Sequence, residues 1–417
     1  MEDIRNVRKE LIELRTVQVV TMCFLVIMLE GFDIQAAGVT MRKLASAFQL
    51  DKMQMGYFAS SSAVGVLLFA AIGGILADRF GRKPVVIAAT TVFGLACLLT
   101  PWSTGFGSLL VARFLTGAGL GAAMPVVIAM TSDHSPASQK KRYVGIVYCA
   151  ISLGGMLCAA IMATGWLGSD WRPIYYVGGV LPIAVALAMI AYLPASRPKS
   201  ALATDAAGVV GTWADILGLS KLPITLTLWL ATFLTLAVMY LCVLWMPTLL
   251  QQRGFSSTDA LIIQTMYNLG STVAAVVVGY LLDRRHAYSV ATVGYIVLAL
   301  GLYFLGAVAL GLAFGMTTGF LVGIGATTGQ TLLYAFAPLC YPAAVRNRGV
   351  GCAVAAGRLG TIAGPMFAGV LQAGGLTAGM VLVWMIPAVV VALGACLLVV
   401  RILHGGDAYV APRLAHA

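Results

Sequence analysis

Four charged side chains stand inside apolar stretches of this sequence. Glu30 and Asp33 lie three residues apart in one stretch, and Arg113 and Arg358 lie singly in two others. Residues at i and i+3 share a helix face. An ionised group against lipid is so unfavourable that each must face the protein interior and find a partner. Carboxyls placed in this way can take up and release protons. The arginines can hold a carboxylate through a planar, two-pronged set of donors. The rival reading is that the four charges only neutralise one another. Asp33 sits about seven residues from the far end of its stretch and Arg113 about six from its own, which at 1.5 Å per residue puts both roughly 10 Å below that surface. The two are therefore expected to meet. Arg358 lies near the middle of its stretch with no acid in its own half of the chain, so a ligand carboxylate is its expected partner.

Weaker signals accompany these. Gln264 and Asn268 are one helical turn apart with Tyr267 between them, and Gln330–Tyr334 and Tyr148–Ser152 repeat the spacing. Such residues can line a wet cavity, and they can equally join helices. A second constellation runs Gly74-Ile-Leu-Ala-Asp78-Arg79-Phe-Gly81-Arg82-Lys83. Its glycines permit close helix approach and a tight turn. Asp78 ends a helix and can face the positive N-terminus of a neighbouring one, while the basic trio can pair with acids across the same face. Gly65, Gly74, Leu76, Asp78 and Arg79 recur at an offset of 205 as Gly270, Gly279, Leu281, Asp283 and Arg284. The chain therefore repeats itself.

The elements that position these residues follow from composition. Of 417 residues, 60% are hydrophobic and 10% charged, against about 25% charged in soluble domains. An ordinary soluble enzyme or DNA-binding protein is excluded. Apolar runs long enough to cross a bilayer occupy 17–40, 54–77, 84–101, 108–131, 143–166 and 174–193, then 223–250, 258–282, 288–308, 312–340, 348–372 and 377–402. Helices are the open structures that satisfy their own backbone in lipid, so the expected fold is all-α, a polytopic bundle of twelve spans in two pseudo-symmetric halves. These halves are residues 1–194 and 222–417, joined by a polar cytoplasmic linker at 195–221 with a short surface helix near Trp213–Leu219. With an even number of spans both termini share a side. That side receives 19 Lys and Arg residues and the other 5, which by the positive-inside rule places both termini in the cytoplasm. The net charge of +11 is thus loop charge, and no nucleic-acid partner is expected. The eight cysteines lie in or beside apolar segments without paired spacing, and the four histidines fall in loops or the tail. They suggest no disulfide framework and no metal. No removable signal peptide precedes the first run. The absence of GxxxxGK[ST], GxSxG and HExxH gives no sign of ATP hydrolysis, hydrolase chemistry or a cofactor.

The loop motif, the paired six-span halves and the linker resemble the major facilitator superfamily over essentially the whole chain. More narrowly, Glu30-Gly-Phe-Asp33-Ile-Gln35-Ala-Ala-Gly38 and Arg113-Phe-Leu-Thr-Gly117-Ala-Gly119-Leu-Gly121-Ala-Ala-Met-Pro125 resemble signatures of the aromatic acid:proton symporter family. That family often has Asp where Glu30 stands. With Leu50-Asp51-Lys52-Met-Gln54-Met-Gly56 and Gly329-Gln330…Tyr334-Ala-Phe-Ala-Pro338, the chain looks most like the 3-(3-hydroxyphenyl)propionate transporters. The resemblance implies an inner-membrane protein, not an enzyme, that imports a small aromatic acid with protons by alternating access. It implies proton coupling by Asp33 and perhaps Glu30, gating by the 74–83 loop, and a pairing of Asp133 with that loop. Substrate contacts are expected from Arg113, Arg358, Tyr148, Gln264, Tyr267, Gln330 and Tyr334, in a monomer whose partners are substrate, protons and lipid. Two rivals remain at this stage: a drug or metabolite exporter of the same fold, and an integral-membrane enzyme acting on lipid.

Overall fold

The structure, a computed structural model, describes residues 2–136, 139–168, 170–194, 214–218, 221–282, 286–308, 311–342 and 345–405. Among the described residues there is no strand. Twelve helices are long and apolar enough to cross a membrane: Leu14–Phe48, Lys52–Phe80, Arg82–Trp102, Phe106–His134, Arg142–Thr164, Arg172–Tyr192, Leu222–Gln252, Ser257–Val278, Ala287–Ala307, Leu312–Leu339, Arg348–Ala373 and Ala378–Leu403. They are referred to below as the first to twelfth spans. The first helix is longer than its apolar core, beginning at Glu2 and ending at Phe48. The twelfth is interrupted between Ala378–Val383 and Ile386–Gly405. Most of the linker lies outside the described residues, apart from a four-residue helix, Ala214–Leu217.

Local chemistry sets the span boundaries. Asp51 caps the second span by accepting the Gln54 amide at 2.8 Å, and the Gln54 side chain accepts the Asp51 amide at 3.1 Å. This reciprocal pair satisfies two of the donors that a helix start leaves free. The same span ends at Gly81, whose φ of 90° only glycine adopts without strain. Within each half the helices touch backbone to backbone, because lipid removes the usual hydrophobic drive and close van der Waals approach takes its place. A side chain on Gly65 would strike the Phe114 carbonyl, and one on Gly270, its counterpart in the second half, would strike that of Phe320. The offset of 205 between these two positions thus marks one packing device used twice.

The two halves meet unevenly. Ser60 Oγ donates to the Ile362 carbonyl at 2.7 Å, Gln35 Nε2 to the Val243 carbonyl at 3.3 Å, and Arg42 to Gln251 at 3.2 Å. The Gly56 backbone lies against Pro365, Met366 and Gly369. All of these lie away from the end that carries the chain termini. At the terminal end, Gly74, Gly145 and Gly351 border open space. Asp78 is exposed there and has no ion pair among the described residues. The halves close at the end away from the termini.

Candidate functional site

The first span positions three functional side chains, and the helical turn sends them to different neighbours. Asp33 turns into its own half. Its Oδ1 accepts Arg113 Nη1 at 2.7 Å, and the two residues are 0% and 1% exposed. Cys97 Sγ lies 3.6 Å from the same oxygen. The Tyr175 ring centre is 6.0 Å from the guanidinium, and the Tyr175 hydroxyl donates to Thr40 Oγ1 at 2.9 Å, because Thr40 spends its own proton on the Ala36 carbonyl. Asp33 Oδ2 and Arg113 Nε have no partner among the described residues. The expected meeting of Asp33 and Arg113 is therefore present. Arg113, expected as a substrate contact, has its guanidinium paired with Asp33 and buried inside the first half.

Glu30 is buried on the same helix and lies within electrostatic reach of Arg358 in the other half. Around Arg358 stand Tyr148 from the fifth span, Tyr240 from the seventh and Tyr334 from the tenth. Its Nη2 points at Met124 Sδ, 2.7 Å away, and it donates to the Tyr240 oxygen. No described carboxylate forms an ion pair with it. Five other spans from both halves thus surround Arg358, and the Glu30 carboxylate is within its electrostatic reach without a direct ion pair. Tyr148, six residues into the fifth span from its terminal-side start, is 36% exposed. Gln330 is half-buried one turn from Tyr334, on the same helix face. Tyr267 departs from the expectation. It is 1% exposed and sits behind Tyr240, among Cys242 and Ser271. Tyr240 and Met124 carry no motif or spacing that would have singled them out in the sequence.

A third group lies toward the closed end. Gln35 Oε1 accepts Gln264 Nε2 and Asn268 Nδ2, both at 3.0 Å. Gln35 and Gln264 are 0% exposed and Asn268 is 5% exposed. This amide knot joins the first span to the eighth, across the two halves. Gln35 stood in the sequence only as part of a signature, because nothing along the chain indicates what faces it.

At the terminal end, Arg82 forms an ion pair with Asp133 and also donates to the Ala129 carbonyl at 2.9 Å. Lys83 Nζ donates to the Ile190 and Leu193 carbonyls at 2.8 and 2.6 Å, capping the end of the sixth span. Arg79 lies 5.2 Å from the centre of the Phe80 ring. Close helix approach falls to Gly73, which packs on Ala122, while Gly74 faces open space. Asp283 and Arg284 lie outside the described residues. Among the described residues no His, Cys, Asp or Glu cluster could hold a metal ion.

The family model described as Major Facilitator Superfamily matches residues 23–319 and again 228–409. The chain belongs to the major facilitator superfamily. It is a membrane transporter of that superfamily and not an enzyme, which disposes of the lipid-enzyme reading. Two curated members are similar over most of their length. The 3-(3-hydroxy-phenyl)propionate transporter of Escherichia coli (strain K12) is 37% identical over 363 residues, which is 86% of this chain and 88% of that one. The 4-hydroxybenzoate transporter PcaK of Pseudomonas putida is 30% identical over 376 residues, 83% and 84% of the two chains. Among solved major facilitator structures, the inward-facing, unoccupied bacterial homolog of the human lysosomal transporter Spinster superposes with a TM-score of 0.75 at 15% identity, covering 94% of this chain and 98% of that one. At that identity the likeness concerns the fold alone.

Proposed function

We propose that this protein imports a small aromatic carboxylate of the hydroxyphenylpropionate or hydroxybenzoate class together with protons. The observation that carries this is the cation without a direct ion pair. Arg358 sits near the middle of its span beside three tyrosines, with Glu30 within electrostatic reach and no direct ion pair among the described residues. A charge held at that depth demands a counter-charge, and its planar fork suits a carboxylate. Tyrosine rings offer aromatic faces for the remainder of the molecule. The relatives whose names specify hydroxylated aromatic acids support the same substrate class.

Coupling runs along the first span. Glu30 lies within electrostatic reach of both Arg358 and Asp33, and Asp33 holds Arg113. A proton on Asp33 would dissolve the ion pair that ties the first span to the fourth, freeing that span to move once the substrate has neutralised Arg358. The halves, taken as 1–194 and 222–417, then rock about the central site. With both termini in the cytoplasm, cross-half contacts gathered at the far end suit an inward-facing state. Asp78 is exposed and has no ion pair among the described residues. We assign Asp78 as a latch that engages the start of the eleventh span when the cytoplasmic side closes.

The test is uptake of a panel of labelled aromatic acids into proteoliposomes. An inward proton gradient should drive accumulation of the acids and leave their amides outside. Accumulation driven instead by an outward proton gradient would replace this reading with the exporter of the same fold. Faster thiol labelling of a single cysteine at the cytoplasmic mouth in Asp78→Asn is the result expected of a latch. Unchanged labelling would reduce the loop to a folding role.

A further inference from the structure

The amide knot contains one atom that its neighbours leave unsatisfied. Gln35 Nε2 faces the Val243 carbonyl at 3.3 Å. A carbonyl only accepts, so this contact fixes which way the Gln35 amide points. Its Oε1 must therefore face the other two amides. Gln264 then presents Nε2 to Gln35, and Asn268 presents Nδ2, which is also shared with the Gln264 carbonyl at 3.1 Å. One backbone carbonyl thus decides the polarity of the whole group. What remains is Gln264 Oε1, an acceptor in a 0% exposed residue with no donor among the described residues. A buried acceptor left without a donor is unfavourable by about 1–3 kcal/mol, so the site is built to receive a hydrogen-bond donor.

The position of the knot indicates what could donate. Gln35 is five residues beyond Glu30 on the first span, and its partner Val243 is three beyond Tyr240 on the seventh. At 1.5 Å per residue the knot lies roughly 4.5–7.5 Å from the level of Arg358, toward the closed end. That separation is about the span of one aromatic ring. Resting on the substrate class proposed above, we infer that Gln264 Oε1 accepts the ring hydroxyl of a hydroxylated aromatic acid whose carboxylate is held by Arg358. Gln35 and Asn268 orient Gln264 and are positioning residues. Gln264 therefore sets the preference for hydroxylated over plain aromatic acids. A site with an unsatisfied acceptor disfavours a ligand that lacks the hydroxyl, because the acceptor stays unpaired.

The experiment compares 3-(3-hydroxyphenyl)propionate with 3-phenylpropionate as substrates for the parent and for Gln264→Leu in proteoliposomes. The parent should prefer the hydroxylated acid about tenfold, the worth of one hydrogen bond. Gln264→Leu should lose this preference and transport the two acids to a similar extent. A preference kept in Gln264→Leu would overturn the assignment, and so would an equal loss of both acids in a protein that still folds. If Gln264→Leu does not fold, the parent alone decides. A 3-methoxy analogue, which cannot donate, must then compete about tenfold worse than the hydroxy acid, and equal competition would refute the inference. A parent that takes up neither acid would refute the proposed function instead.

Discussion

Arg113 and Arg358 are the same residue type, each placed inside a membrane span, and the fold treats them in opposite ways. Arg113 is matched inside its own half by Asp33 at 2.7 Å and closed off from solvent. Arg358 lies between the halves, facing tyrosines, a thioether and the more distant Glu30. Both charges are unfavourable alone in lipid. A charge neutralised within one half is a structural tie that changes state only when its partner takes a proton. A charge without a direct ion pair between the halves is, on the proposed function, the place for a substrate anion. The contrast separates the coupling element from the substrate element, and variants can test each side of it.

The largest effect should come from breaking the matched side. Asp33→Asn leaves Arg113 buried without its anion, which should destabilise the protein by about 3–5 kcal/mol and abolish proton-driven accumulation. Thermal unfolding in detergent measures the first effect, and the double variant Asp33→Asn/Arg113→Met should recover stability without recovering accumulation. On the unmatched side, Arg358→Met should weaken acid binding by about 2 kcal/mol or more and leave unfolding unchanged, because no native ion pair is lost. A smaller effect is expected from Glu30→Gln. An ionised Glu30 competes with the substrate carboxylate for Arg358, so its removal should tighten acid binding several-fold at neutral pH and flatten the pH dependence of that binding. Titration at several pH values checks this, and weaker binding would assign Glu30 to the substrate side. The smallest effect concerns Arg82–Asp133, whose side chains are 16% and 48% exposed. Arg82→Gln should change stability by no more than about 1 kcal/mol while altering the transport rate.

The sequence made the twelve spans legible because each apolar run is long and bounded by charge, and lipid leaves a helix as the sole outcome. The Asp33–Arg113 pair was legible for a related reason, since counting residues from the span ends gives depth and depth predicts who can meet. Contacts between the halves were harder, because their register is set by how two bundles dock, and no spacing along the chain records that. Tyr240 therefore passed as one aromatic in an apolar run, Gln35 as a signature residue, and Arg358 as an arginine without an acid when Glu30 faces it from the other half. Tyr267 misled for the opposite reason. Its neighbours Gln264 and Asn268 are polar, yet the helix turns its ring into the core behind Tyr240. Sequence alone does not phase the Gly73–Gly74 pair against the neighbouring helix, where Gly73 and not Gly74 makes the contact.

The central claim is the proposal that Arg358, which has no direct ion pair among the described residues, takes the substrate carboxylate. The most direct measurement is calorimetric titration of purified parent and Arg358→Gln with 3-(3-hydroxyphenyl)propionate and with its primary amide, alongside thermal unfolding of both proteins. The account predicts that the parent binds the acid far more tightly than the amide, that Arg358→Gln loses this preference, and that both proteins unfold at the same temperature. Retained preference for the acid in Arg358→Gln would contradict it, as would loss of binding accompanied by a collapse of folding.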